Sequence, residues 1–405
     1  MNAAAPAGAP PSRLTVCALG VLYAILPLYG TLGGLTAGPG TPALIPRPLA
    51  AAIGILALAA LATTVPAARR VVRRDRLTFA YLGPGLAVIA SALVGFDPPL
   101  GLGLGLLVLG IGASGLVVAR AADAAAVRLC LRVFLWSALA SGALALAMVL
   151  ARRPAAIYAF DNGRAVGTFL NPNELAAYTL IGLGVAVPLA LASRGRDRLA
   201  ALTALVLAVA LAATFSRWGL FSAVCGVAAY ALFARARALL AAALVVALAG
   251  IVLNAAAGAR HHNPRDTEAR TVAWRTGLTT FERFPLLGVG PLAFPKTYEV
   301  LRPPDAPGTR TAVAFDPHSL PIAFAADGGI VALVTLAVAF TIILRRVLRD
   351  ARGAPAIPRA LGYALAAAAL ALLIDSGINT ISLIFPLILQ VVTLALAVVR
   401  TDALS

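Results

Sequence analysis

Residues 99–119 read PLGLGLGLLVLGIGASGLVVA and contain no charged side chain. A helix that crosses a bilayer needs about 20 consecutive, mostly apolar residues, so this run predicts a membrane-spanning helix. The whole chain shares this character, because 61% of its 405 residues are hydrophobic and only 12% are charged. Soluble domains are about half apolar and about a quarter charged. The composition therefore predicts a multi-pass membrane protein.

Eleven further runs meet the same criterion of length and apolarity. They cover residues 14–33, 48–66, 77–95, 127–150, 174–193, 199–215, 217–234, 238–257, 319–344, 359–375 and 382–399. Together with 99–119 they predict an all-α polytopic membrane protein with about twelve transmembrane helices. We expect one transmembrane domain over residues 1–405, without a separate soluble domain.

The net charge of +17 could indicate a nucleic-acid partner, but the arginines occur in short clusters between apolar runs. This distribution is typical of cytoplasmic loops, so we expect no nucleic-acid partner. Five clusters fall on alternate sides of the span count: 69–76, 120–128, 193–198, 234–237 and 345–352. They predict that both termini are cytoplasmic, although the arginines of 151–154 fall on the opposite side.

The longest hydrophilic segment, residues 258–318, then lies on the outer face between the ninth and tenth predicted spans. A long loop inside a compact protein is often functional. Its aromatic residues, among them Trp274 and Phe294, predict a folded cap with short helices. A second outer loop covers residues 151–173.

One of only three histidines, His318, ends this loop in the stretch AFDPHSLPIAF at residues 314–324. An imidazole at the boundary between water and lipid could act as a general base near neutral pH. It could equally be a histidine that is simply hydrogen-bonded within the cap.

Arginines provide candidate anion ligands. Arg217, in ATFSRWGLF, lies at the tip of a tight predicted hairpin, where it could clamp an anion or extend its charge to the membrane surface. EARTVAWRTGL predicts a short amphipathic helix with Arg270 and Trp274 on one face and Arg275 pointing elsewhere. Two such guanidinium groups could hold a diphosphate, or they could belong to a solvated loop.

Acidic residues give weaker signals. Asp327 and Asp375 are candidate intramembrane acids, and Asp375 is expected near the outer membrane boundary. If residues 318–327 formed a continuous helix, Asp327 would lie on the opposite face from His318 and could not pair with it. No closely spaced acid pair, zinc spacing or nucleotide-binding loop is present in the sequence. We therefore expect neither a metal nor a nucleotide.

Four stretches occur in a distinctive order: GTFLNPNELAAY (167–178), TFSRWGL (214–220), RTVAWRTGLTTFERFPLLGVGPLAF (270–294) and PHSLPIAFAADGGI (317–330). This order resembles the O-antigen ligase and polymerase superfamily of bacterial envelope glycosyltransferases. The resemblance covers roughly residues 160–340. The family often has Asn after the loop histidine, whereas this chain has Ser319.

The resemblance implies a GT-C-like glycosyltransferase of the bacterial inner membrane with its active site facing the periplasm. Such enzymes transfer O-antigen polysaccharide from undecaprenyl diphosphate to lipid A–core oligosaccharide, with inversion and without metal. By resemblance, His318 is the general base, Arg217 and Arg270 bind the diphosphate, and Arg275 is a further candidate for that role. The same motifs give supporting residues: Asn171, Asn173, Trp274 and Ser319.

Two alternatives remain open from the sequence. An O-antigen polymerase of the same superfamily would use the same residues with another lipid-linked repeat as acceptor. A multi-span transporter or lipid flippase is compatible with twelve spans and membrane-embedded charges, although no related halves are visible in the sequence.

Overall fold

The computed structural model describes residues 11–28, 46–160, 162–236, 264–303, 316–377 and 384–401. Within these ranges the chain is helical and contains no β-strand, which confirms the predicted all-α class. The described helices are α1 (Arg13–Ala24), α2 (Arg47–Val71), α3 (Arg76–Val94), α4 (Pro98–Ala121), α5 (Ala124–Ala151), α6 (Ala155–Phe160), α7 (Pro172–Ala192), α8 (Arg198–Ala213), α9 (Arg217–Ala234), α10 (Pro264–Arg283), α11 (Phe294–Leu301), α12 (Leu320–Gly353), α13 (Ala356–Ser376) and α14 (Ile384–Arg400). Short 3-10 turns lie at Leu26–Leu28 and Gly167–Phe169.

Eight helices in the described ranges are long and apolar enough to cross a membrane: α2, α3, α4, α5, α7, α9, α12 and α13. Three shorter apolar helices, α1, α8 and α14, fall within other predicted spans. The predicted span 238–257 lies outside the described residues. The chain is thus a polytopic helical membrane protein, and the predicted count of twelve spans is not confirmed.

Acidic residues begin three of the helices at the arginine-rich turns. The carboxylates of Asp75, Asp123 and Asp197 cap α3, α5 and α8 by accepting backbone N–H groups of their first turns. A carboxylate at this position satisfies a free amide and complements the helix dipole. Asp75 also pairs with Arg120, and Asp197 pairs with Arg132. These contacts fix the turns that join the helices.

Glycines let α4 approach α3 closely. A Cβ atom on Gly112 would lie 2.0 Å from the carbonyl oxygen of Tyr81, and one on Gly105 would lie 2.6 Å from Cγ1 of Ile89. Small residues at such contacts are typical of helices packed within membranes, where close backbone approach replaces hydrophobic driving force. Gly105 and Gly112 therefore lie on the surface through which α4 packs against α3.

Helix α12 is broken at Gly329, whose φ of 62° and ψ of −165° are not helical. The segment PLLGVG (285–290) fills the break with its own backbone. Val289 and Gly290 donate N–H groups to the carbonyls of Ala326 and Asp327, at 3.1 and 2.9 Å. On the other side of the break, Ile330 N donates to Pro285 O at 2.8 Å and Val331 N to Leu286 O at 3.3 Å. The crossing satisfies backbone groups that lipid could not.

The same segment is anchored to the turn between α3 and α4. Phe96 N donates to Val289 O at 2.8 Å, and the Phe96 and Phe284 rings meet edge to face at 5.7 Å. Lys296 Nζ lies 3.0 Å from the carboxylate of Asp97. Helices α10 and α11 lie on either side of this anchor, in the segment predicted as a cap. Helix α10 has 20 residues, so it is longer than the short helix expected there.

Candidate functional site

His318 lies just before α12 and is held through its backbone. Its N–H donates to Oδ1 of Asp316 at 2.6 Å, and its carbonyl accepts a hydrogen bond from Trp274 Nε1 at 3.2 Å. Its φ of 50° is left-handed, a conformation that a side chain with a Cβ atom disfavours. The imidazole remains 43% exposed, and its Nδ1 lies 3.7 Å from the same Asp316 oxygen. The ring is thus accessible while its attachment is fixed.

Helix α10 helps to hold the backbone of His318 in place. The helix packs closely on the entry to α12, because a Cβ atom on Gly277 would lie 2.5 Å from Cγ2 of Ile322 and 3.3 Å from Pro317. Trp274, one turn earlier, reaches the carbonyl of His318. Arg270 lies four residues before Trp274 within continuous helix, on the same face, as the spacing predicts. Arg275 is exposed and projects in another direction.

Ser319 is the N-cap residue of α12 and is 2% exposed. Its side chain makes no capping hydrogen bond. Its carbonyl instead accepts the N–H of Ala323 at 2.8 Å. Ser319 therefore marks the start of the helix, as the sequence predicts, through its extended backbone and not through its hydroxyl group.

The beginning of α7 forms the second part of the site. Asn171 is the N-cap, and its side chain accepts the N–H of Asn173 at 2.8 Å. Oδ1 of Asn173 accepts hydrogen bonds from Ser216 Oγ at 2.8 Å and from Arg164 Nη2 at 3.4 Å. Arg164 also donates through Nε to the carbonyl of Thr214 at 2.7 Å. The amide side chain of Asn173 therefore joins α7 to the turn before α9.

Arg217 is the first residue of α9, directly after Ser216, whose hydroxyl accepts the N–H of Gly219 at 3.1 Å. The first turn of α9 is pressed against α7, because a Cβ atom on Gly219 would lie 2.5 Å from Cβ of Ala176. The Arg217 side chain is exposed, and no hydrogen bond or ion pair joins it to the described residues. Arg217 is thus placed beside the N-terminus of α7 with its guanidinium group accessible.

Electrostatics connect the two parts. Glu174, in the first turn of α7, is close enough to Asp316 for their charges to interact, and Asp327 interacts with Asp316 in the same way. The N-terminus of α7 therefore lies within electrostatic range of the segment that carries Asp316 and His318. Two residues of this cluster, Arg164 and Glu174, were missed as site residues by the sequence reasoning, although both flank the GTFLNPN motif.

The two candidate intramembrane acids lie in α12 and α13. Helix α12 begins at Leu320, so the continuous helix assumed from His318 to Asp327 does not exist. No hydrogen bond joins the two side chains, and Oδ2 of Asp327 instead accepts the N–H of Leu292 at 3.3 Å. Asp375 is fully buried at the second-last position of α13, and its place near the membrane boundary stays a prediction.

Of the predicted outer loop, residues 258–263 and 304–315 lie outside the described residues. Within the described ranges, no group of three or more His, Cys, Asp or Glu side chains could hold a metal ion. Metal-independent chemistry stays a prediction.

Comparison with known proteins gives one result that bears on this cluster. No curated protein matches the chain significantly. Residues 202–337, about a third of the chain, match the family described as O-antigen ligase. The matched segment contains Arg217, Arg270, Trp274 and His318, and it ends beyond the break in α12. Residues 202–337 are thus similar to the O-antigen ligase family.

Proposed function

We propose that this protein is an O-antigen ligase. It transfers O-antigen polysaccharide from undecaprenyl diphosphate to lipid A–core oligosaccharide on the periplasmic face of the inner membrane, without a metal ion. The observation that carries this proposal is the placement of His318, which has an accessible imidazole and a backbone fixed by Asp316 and Trp274. The family match supports the class of reaction, since it spans these three residues.

The reaction is a direct displacement. The oxygen of an acceptor hydroxyl forms a bond to the anomeric carbon as the bond from that carbon to the diphosphate oxygen breaks. The bonding electron pair leaves with undecaprenyl diphosphate, and the hydroxyl proton passes to His318. Attack from the side opposite the leaving group inverts the anomeric centre. Proton removal by a positioned base contributes about 10²- to 10⁴-fold to such reactions.

Nε2 of His318 is the atom that takes the proton. Nδ1 lies 3.7 Å from the Asp316 carboxylate, which favours a hydrogen on that nitrogen. The remaining nitrogen then carries the lone pair. The arrangement follows the general logic of a base that is oriented by a third group.

The leaving diphosphate is held by arginine. Arg217 and Arg270 provide guanidinium groups, and Arg275 is a further candidate. Positive charge aimed at the developing negative charge of a leaving group is usually a large catalytic contribution. The N-terminus of α7, beside Arg217, adds the positive end of a helix dipole. Asn171 and Asn173 act indirectly, because their hydrogen bonds fix that N-terminus and the turn that carries Arg217.

Lipopolysaccharide from a strain that lacks the gene tests the proposal. Wild-type protein should restore the polysaccharide ladder, whereas His318→Ala, Arg217→Ala and Arg270→Ala should leave a bare core at normal protein level. Arg196→Ala is the matched control, since Arg196 is an exposed arginine in the turn between α7 and α8. Normal ladders from the three site variants would refute the proposal.

The same strain separates ligase from polymerase. Loss of a ligase leaves the lipid A–core without any repeat, whereas loss of a polymerase leaves a core with a single repeat. A single-repeat band in the deletion strain would therefore replace the ligase proposal with the polymerase alternative.

A further inference from the structure

A polar cavity that contains no residue of the four motifs opens between the ends of α9, α12 and α13. Its volume is about 730 Å³, and we call it the arginine cavity because Arg235, Arg352 and Arg359 line it. Arg235 ends α9 in a left-handed conformation, Arg352 is in the last turn of α12, and Arg359 is in the first turn of α13. Three separate helices thus bring a guanidinium group to one space.

The charge of the cavity is not balanced by its lining. None of the residues that line it is acidic, and Tyr230 and Tyr363 add hydroxyl groups. The nearest acid along the chain, Asp350, already pairs with Arg346 and Arg349. Three like charges around one space repel each other, so an anion in the cavity would be favoured.

The arginine cavity is distinct from the candidate active site. Arg217 is the first residue of α9 and Arg235 directly follows its last residue, and the 18 residues between the two ends rise about 27 Å. That length is close to the thickness of the hydrocarbon core, which is about 30 Å. The cavity and Arg217 therefore lie at opposite membrane surfaces, and the cavity is at the depth of lipid head groups.

The chemistry of the lining indicates the ligand. Guanidinium groups bind phosphate oxygens through paired hydrogen bonds, and the volume is within the range of about 300–1,000 Å³ for small-molecule sites. Leu232, which lines the cavity, exposes 63% of its surface and offers an apolar contact for acyl chains. The three arginines would repel a head group that carries its own positive charge, so such a head group would bind more weakly.

We propose that the arginine cavity binds the phosphate of an anionic phospholipid head group. Basic pockets between transmembrane helices are suited to such lipids. The proposal concerns a binding site apart from the transfer reaction and does not depend on it.

Native mass spectrometry of the full-length protein in detergent tests the site, with phosphatidylglycerol, phosphatidylcholine and inorganic phosphate as separate probes. The test variant is the triple substitution Arg235→Gln, Arg352→Gln and Arg359→Gln. The matched control removes the same charge elsewhere, through Arg69→Gln, Arg70→Gln and Arg345→Gln, at exposed arginines that do not line the cavity.

Wild-type and control proteins should retain phosphatidylglycerol. The test variant should bind it about 100-fold more weakly, at about fivefold for each arginine lost. Equal binding by the test variant and the control would overturn the proposal, as would equal retention of phosphatidylcholine. Binding of inorganic phosphate without preference for the lipid would also overturn it, since the site would then be one for a soluble anion. Thermal melting of each variant without added lipid shows whether weaker lipid binding results from misfolding. If the triple variant misfolds, the binding measurement is repeated with single arginine variants that fold normally.

Discussion

The hydrogen bond from His318 N–H to Asp316 should be the contact that keeps the proposed base in place. The bond is short, at 2.6 Å, and its acceptor is a carboxylate. The left-handed backbone of His318, with φ of 50°, costs about 1–2 kcal/mol. Asp316→Ala removes the acceptor of this hydrogen bond. The backbone of His318 should then relax from its strained left-handed conformation.

The magnitudes decide between the two contacts that oppose this strain. A hydrogen bond to a charged group contributes about 1.5–3 kcal/mol, and a neutral one contributes about 0.5–1.5 kcal/mol. With both Asp316 and Trp274 in place, the contacts exceed the strain. With Trp274 alone, contact and strain are nearly equal, so the productive conformation is no longer strongly preferred. When contact and strain are equal, the productive conformation is about half populated, so kcat/KM should fall about two- to tenfold as the balance ranges from about 0 to about −1.5 kcal/mol.

The assay is transfer of glycan from purified lipid-linked donor to lipid A–core by the purified enzyme. Asp316→Asn keeps an oxygen that can accept the His318 N–H, so its kcat/KM should fall less than that of Asp316→Ala. Trp274→Phe keeps the ring packing and removes only the Nε1–H bond, with a loss of similar size. Asp350→Ala removes a carboxylate at the far end of α12 and is the control.

Two results would refute this reasoning. Unchanged kcat/KM for Asp316→Ala would show that the carboxylate does not hold the base. An Asp316→Asn variant as impaired as Asp316→Ala would assign the effect to negative charge near the imidazole instead of to the backbone hydrogen bond.

Four further predictions concern the fold and the reaction. Gly329→Ala should lower the melting temperature and detergent yield, because a Cβ atom there would lie 2.3 Å from backbone atoms of the crossing segment; a wild-type melting curve would contradict the crossing. Ser216→Ala loses its cap and its 2.8 Å bond to Asn173, so it should destabilise the protein by about 1 kcal/mol and raise the KM for donor; an unchanged KM would count against a role for this turn. The hydrogen bond from Lys296 holds the pKa of Asp97 below its ordinary value, so the pair stabilises the folded protein above the unfolded pKa of Asp97, and this stabilisation is lost as pH falls through the folded pKa. The melting temperatures of wild type and Lys296→Gln should therefore converge in acid. A difference between the two melting temperatures that grows in acid would contradict this direction. Transfer by the purified enzyme should persist in excess EDTA, and loss of activity that added Mg²⁺ restores would refute metal independence.

The spanning helices were predictable because apolarity and length determine them. Eleven of the predicted runs overlap a described helix, and the arginine clusters fall at their ends. Their exact limits were less predictable, as α2 continues to Val71, beyond Arg69 and Arg70. Long basic side chains near a helix end can extend their charge into water while the helix continues, so a cluster of arginines does not by itself end a helix.

The site was predictable only where it depends on local spacing. The shared face of Arg270 and Trp274 follows from helix geometry alone. The approach of Glu174 to Asp316 depends on how distant helices pack, and no spacing along the chain encodes it. Two adjacent glycines within a predicted span do signal a break or a close backbone approach, and this signal at Gly328 and Gly329 was available in the sequence.

The broken helix explains how a residue at the end of a long loop can be placed accurately. Helix α10 carries Trp274 to the backbone of His318, and its C-terminal end runs directly into the segment 285–290 that fills the break in α12. That segment is fixed in turn to the α3–α4 corner through Phe96. The loop is therefore attached at Trp274, at Gly277, which is pressed on Ile322, and at the break in α12. Because a displacement of about 1 Å in a reacting group can cost about 100-fold in rate, this rigid attachment is a requirement for a base that lies outside any helix.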